Sequence, residues 1–118
     1  MTTKSTLQDL RVWDAARALA VDVHTAARRS RRVDPGLWPQ ACRSSASIGA
    51  NIAEGCGRAT RPDRLRFFNM ALASVRETQH HLRLCHDLGL LSEAVYMPMA
   101  GRASVIRRML ISLMEKTN

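Results

Sequence analysis

The chain has 118 residues, 46% hydrophobic and only 4% aromatic, and carries a formal net charge of +8 at pH 7. That length points to a single domain over residues 1–118, and that apolar content excludes a disordered chain. No apolar run approaches the roughly 20 residues of a membrane span, and the opening MTTKSTLQDLRVW lacks a signal-peptide core, so the expected location is the cytoplasm, with no membrane partner.

Four helical segments follow in chain order. The first is expected from Thr6 to Arg29, where Leu7, Leu10, Trp13, Ala16, Ala20, Val23 and Ala27 recur at spacings of three and four. RRSRRVDPG breaks that pattern, and Asp34 before Pro35 suits the start of a second helix. This second segment reaches Arg58, with Ala41, Ser45, Ile48, Ile52 and Gly55 as its inner stripe. Thr60, Pro62 and Asp63 open the third segment with a variant of the capping box. Leu65, Phe68, Leu72, Val75, Leu82 and Cys85 line its apolar face, and Gly89 stops it in a left-handed turn. Ser92 and Glu93 open the fourth, whose face is Val95, Met99, Ile106, Met109, Leu110 and Leu113. Pro98 is expected to end a first turn or to kink this helix. No hairpin signal separates alternating runs, so no strand pair is expected. Helices of about 24 residues, each about 36 Å long at 1.5 Å rise and joined by short loops, make an all-α, antiparallel up-down-up-down four-helix bundle.

SIGANIAEGCGR, residues 47–58, is costly for a helix, because each interior glycine loses about 1 kcal/mol relative to alanine. Two rows account for it. Gln40, Ser44, Ser47, Asn51, Glu54 and Arg58 share one polar face, with Glu54 and Arg58 as a favourable i,i+4 pair. Ser45, Gly49, Ala53 and Gly57 form a row of small side chains that lets another helix come close. An amide, a carboxylate and a guanidinium in one row can serve acid–base or phosphate chemistry. No nucleophile motif, phosphate loop or second placed carboxylate accompanies them. The favoured reading of Ser47, Asn51, Glu54 and Arg58 is therefore a buried polar network that fixes helix register or a subunit contact.

These residues also carry a resemblance. Leu10, Val12 and Trp13 are followed by Ser47, Ile48, Asn51, Ile52, Ala53, Glu54 and Gly55, and then by Phe67, Phe68, Ala71, Ser74 and Glu77. This order resembles the bacterial four-helix bundle proteins first noticed as products of intervening sequences in 23S ribosomal RNA genes. Gly49 stands where that family often has proline, and Pro98 is a second departure. The resemblance implies an antiparallel bundle assembled as a ring-like homopentamer, with no defining enzymatic activity. A similar bundle serves reverse transcriptases of diversity-generating retroelements as an accessory subunit.

The charge is spread along the chain. Arginine supplies 16 of the 18 basic residues, and residues 1–59 and 60–118 each hold nine basic and five acidic groups. Such a balance favours polyanions, against the plainer reading of a generally basic surface. The candidate phosphate contacts are Arg28, Arg29, Arg31 and Arg32 at the first loop, Arg61, Arg64 and Arg66 at the second, and Arg107 and Arg108 on the last helix. Phe67 and Phe68 lie within the third helix, so no aromatic platform is expected beside the arginines and base-specific reading is not expected. The expected role is a non-enzymatic oligomer that binds structured RNA or DNA. The alternative is an adaptor whose basic face meets an acidic protein.

No small-molecule substrate, cofactor or metal is expected. Glu77 and His80 make one Glu-x-x-His, whereas a di-iron bundle needs two and further glutamates. His81, Cys85 and His86 would hold a soft metal only weakly, and His24 stands alone. Cys42, Cys56 and Cys85 have no metal-ligand spacing and are expected to be buried thiols.

Overall fold

The structure, a computed structural model, describes residues 7–31 and 36–118, with side chains described from Leu10 onward in the first stretch. It contains four α-helices, α1 (Leu7–Arg29), α2 (Leu37–Cys56), α3 (Arg61–Asp87) and α4 (Glu93–Lys116). Each packs against its neighbour in the chain, and α4 closes back on α1. Among the described residues the diagonal pairs do not meet. This is the up-down-up-down arrangement, 50 × 22 × 18 Å overall. One end holds the α2–α3 turn and the α4 C-terminus. The other holds the α3–α4 turn and the end of α1.

Local chemistry sets the boundaries. Thr60 caps α3 by accepting from the Asp63 amide at 3.4 Å, with Pro62 in the first turn. Ser92 caps α4 by accepting from the Val95 amide at 3.3 Å. At the other end of α3, Gly89 takes φ 77°. There the Leu90 and Gly89 amides bond the Cys85 and His86 carbonyls at 2.8 and 3.0 Å, the double closure of a Schellman turn. The expected start of α2 at Asp34–Pro35 lies outside the described residues, and α2 begins at Leu37 after Gly36. Pro98 neither ends nor interrupts α4. It sits on the exposed side near the helix start, and Ala94, whose carbonyl a proline at this position cannot bond, is an exposed residue.

The core is a column of Val12, Leu19 and Val23 from α1, Ile48 and Ile52 from α2, Phe68, Val75 and Leu82 from α3, and Ile106 and Leu110 from α4. The inner stripe expected for α2 is buried throughout. The stripe expected for α1 is shifted. Ala16 and Val23 do face the core, but Leu10 is 54% and Trp13 40% exposed, and Val12 and Leu19 take the inner places. α1 carries apolar residues over most of its circumference, so two phases fit the three-and-four spacing and only contact with the other helices selects one. Val95 is likewise 45% exposed rather than part of the α4 core face.

The glycines of α2 divide. A Cβ at Gly55 would lie 2.5 and 2.7 Å from the buried Phe68 ring, so the ring rests on bare backbone there. A Cβ at Gly49 would meet Trp13 and Ala16 at an ordinary 3.9 Å, and one at Gly57 would meet only its own helix. Close approach therefore occurs at Gly55, outside the Ser45–Gly49–Ala53–Gly57 row expected to provide it. The nearby polar pair is also interhelical. Thr78 donates to Ser44 Oγ at 2.9 Å, which donates on to the Ala41 carbonyl at 3.2 Å, sealing a buried point between α3 and α2.

Candidate nucleic-acid interface

The α2–α3 end is built around Phe67. The turn after α2 brings Arg58 back over α3, and the first turns of α3 supply Arg66. Both guanidiniums lie over the Phe67 ring, at 4.6 and 4.5 Å from its centroid. An aromatic side chain does therefore accompany the arginines, contrary to expectation. Phe68 turns inward onto Gly55, which leaves its neighbour Phe67 half-buried at the rim. With two cations over it, the ring orders the arginines instead of offering a bare face to a base.

Further contacts fix this end. Arg58 pairs with Glu54 at 3.1 Å and Arg66 with Asp63 at 3.8 Å. Arg64 donates to the Arg58 carbonyl at 2.9 Å and to the Asn118 carbonyl at 3.2 Å, and Arg61 donates to the Thr117 carbonyl at 3.0 Å. Cations set against the carbonyl end of α4 suit its dipole. A guanidinium has five N–H donors, so these contacts of Arg58, Arg61 and Arg66 leave donors for a phosphate.

The opposite end is open. Arg28 and Arg29 close the last turn of α1 and Arg31 follows, all three exposed. Among the described residues no carboxylate pairs with any of them. Arg32 lies outside the described residues. Arg107 and Arg108 occupy the middle of α4, the first partly buried and the second exposed. The eight described residues among the nine expected contacts thus form two end clusters separated by about 40 Å, the length of α3 at 1.5 Å per residue, with a pair between them.

Ser47, Asn51, Glu54 and Arg58 share a face, yet they form two local pairs and no continuous network. Asn51 donates to the Ser47 carbonyl at 2.9 Å, and Arg58 holds Glu54. The Glu54 and Arg58 side chains remain 58% and 42% exposed, so within one chain this pair is not buried. Of the wider row, it is Ser44 that enters the core.

The histidines of α3 are drawn into separate contacts. Glu77 reaches His81 at 3.2 Å, while His80 is exposed. His86 lies 3.0 Å from the Glu93 carboxylate and stacks on Tyr96 with centroids 4.4 Å apart. Arg83 is held above its ordinary pKa by its hydrogen bond to Asp87. Among the described residues no three His, Cys, Asp or Glu side chains converge as a metal site would require. His24 sits on the surface of α1, its Nδ1 2.7 Å from the Ala20 carbonyl. Cys85 is buried, whereas Cys42 and Cys56 are only partly so, short of the burial expected for all three.

Fold and charge together define a basic all-α bundle with arginines gathered at both ends. Among the described residues no helix is long and apolar enough to cross a membrane. The chain belongs to the 23S rRNA-intervening sequence protein family, whose profile matches residues 8–112. It is also similar to a solved protein of unknown function from the S23 ribosomal protein family of Bacteroides thetaiotaomicron. The two are 26% identical, with a TM-score of 0.87 over 93% of this chain and 100% of the other. No curated protein sequence matches the chain.

Proposed function

We propose that this chain is a non-enzymatic, oligomeric scaffold that binds structured RNA or DNA through charge and shape, in the cytoplasm. The observation that carries the reading is the trio Arg28, Arg29 and Arg31, cationic groups exposed at one end with no carboxylate to neutralise them among the described residues. The Phe67-ordered arginines extend the positive surface to the other end. Self-association would multiply such weak contacts, since binding at one subunit raises the effective concentration at the next. A groove between α1 and α2, floored by Ala46, Gly49 and Ala50 and walled by Trp13 and Val21, suits a contact between copies. The family resemblance implies five of them.

The test is fluorescence-anisotropy binding to a structured ribosomal RNA fragment and a matched DNA duplex, titrated across salt. The expected result is binding whose logarithm falls linearly with the logarithm of salt, with a slope near 0.9 per neutralised phosphate on duplex DNA. Absence of binding at low salt overturns the reading. Native mass spectrometry of the same protein reads the oligomeric state.

A further inference from the structure

A second cleft, of about 480 Å³, lies at the α3–α4 end between the last turns of α1 and the start of α4. Its floor is the buried pair Leu91 and Met99, and Leu90, Val95 and Pro98 form an apolar wall. Val95 is 45% exposed. Two polar groups of the lining are engaged already. Ser92 caps α4, and Asp22 faces Arg102 at 3.5 Å, so the acid within the cleft is neutralised. Arg29 also lines the cleft and, like Arg28 and Arg31 at the same end, is exposed and without a carboxylate partner among the described residues.

An apolar slot with a cationic rim calls for apolar side chains on an acidic frame. We infer that this cleft docks an acidic amphipathic segment of a partner protein, with two or three apolar side chains against Val95 and Leu90 and a carboxylate on Arg29. Charge argues against a second copy as occupant. The chain carries +8, and Asp14, Asp22, Glu54, Asp63, Glu77, Asp87 and Glu93 already face basic side chains of their own chain. Among the described side-chain carboxylates only Glu115 has no such partner, so the described surface has little negative charge left to present to another copy. Nucleic acid offers phosphates for the rim but nothing aliphatic for the wall, and the lining includes no aromatic side chain on which a base would stack. The inference shares Arg29 with the nucleic-acid reading, and the apolar wall of Leu90, Val95 and Pro98 is the observation that belongs to it alone.

The test uses the full chain and a fluorescent synthetic peptide of about 18 residues, five helical turns. Its leucines occupy one face and Asp and Glu the rest. A scrambled peptide of identical composition has the same charge but no apolar face. The expected result is binding about tenfold tighter for the amphipathic peptide, and a loss of about tenfold with either V95D or R29E. R61A and R66A, at the far end, leave peptide affinity unchanged. Val95 is exposed and close to the α4 N-terminus, where an aspartate favours the helix, so V95D keeps its fold, and circular dichroism verifies this. Equal affinity for the two peptides, no binding, or insensitivity to V95D overturns the inference. So does a V95D protein with a lower native mass, which assigns the cleft to a second copy. A V95D protein that loses RNA affinity as strongly as peptide affinity assigns it to nucleic acid. Wild-type RNA binding, measured separately, leaves the fate of the scaffold reading distinct from this one.

Discussion

The two ends of the bundle carry the same kind of charge under opposite constraints. At the α2–α3 end every arginine is tied: Arg58 and Arg66 stack on Phe67 and pair with Glu54 and Asp63, while Arg61 and Arg64 hold the carbonyl end of α4. At the α3–α4 end Arg28, Arg29 and Arg31 have no such partners among the described residues, and Arg29 lines an open apolar cleft. A tied arginine loses less side-chain entropy on binding and contributes to folding as well. An untied one contributes nothing to folding and has its whole hydrogen-bonding capacity for a ligand. The first end should thus respond to mutation in stability and the second in binding.

The largest expected effect tests that division at its root. Gly55 lets Phe68 rest on the backbone of α2, and this close approach sets where α3 begins its run past Arg58. Gly55→Val should destabilise the protein by about 2–3 kcal/mol, because the added side chain overlaps a buried ring that has nowhere to go. Thermal unfolding reads it, and a melting temperature equal to that of the parent would mean the two helices are not locked there. The opposite end should behave in reverse. The triple change Arg28→Glu, Arg29→Glu, Arg31→Glu should leave the melting temperature nearly unchanged. It should lower nucleic-acid affinity steeply and shorten the salt slope by up to about 0.9 for each phosphate that is no longer neutralised. A large drop in stability with unchanged affinity would invert the comparison.

Phe67→Leu sharpens it further. The substitution keeps most of the apolar bulk but removes the ring beneath two guanidiniums, at an expected cost of about 0.5–1 kcal/mol for each partly exposed cation–π pair. Affinity for RNA should fall modestly, since the arginines remain but lose their order. Affinity for the acidic amphipathic peptide should not move.

What sequence reasoning could and could not reach follows from distance along the chain. Caps are local, and Thr60, Ser92 and Gly89 each act where their residue types indicate. α2 has a single apolar phase, so Ala41, Ser45, Ile48, Ile52 and Gly55 were legible as its buried stripe. α1 has two, and the choice of Val12 and Leu19 over Leu10 and Trp13 belongs to tertiary contact. The periodicity of α3 already places Phe68 rather than Phe67 on the apolar face, but that Phe67 carries two arginines at the rim depends on Arg58 returning from the turn after α2. The cleft joins residues 22–30 to residues 90–99, a juxtaposition that no local pattern encodes.

The smallest expected effect concerns Glu54. Read from the sequence, its removal should unbalance a buried network. In the structure its carboxylate is 58% exposed and bonded to Arg58 one turn away. Such a surface i,i+4 pair contributes about 0.3–0.5 kcal/mol. Glu54→Ala should therefore shift the melting temperature of a dilute, monomeric sample by no more than a few degrees. In the assembled protein the outcome depends on what covers this face. If the face stays in water, native mass remains at the parent value and melting shifts by no more than those few degrees. If a second copy covers it, the same substitution leaves Arg58 buried without its partner, a penalty of a few kcal/mol, and the native mass drops. One change on the exposed side of α2 thus separates a solvated ion pair from a subunit contact, and it leaves the arginines of the α3–α4 end untouched.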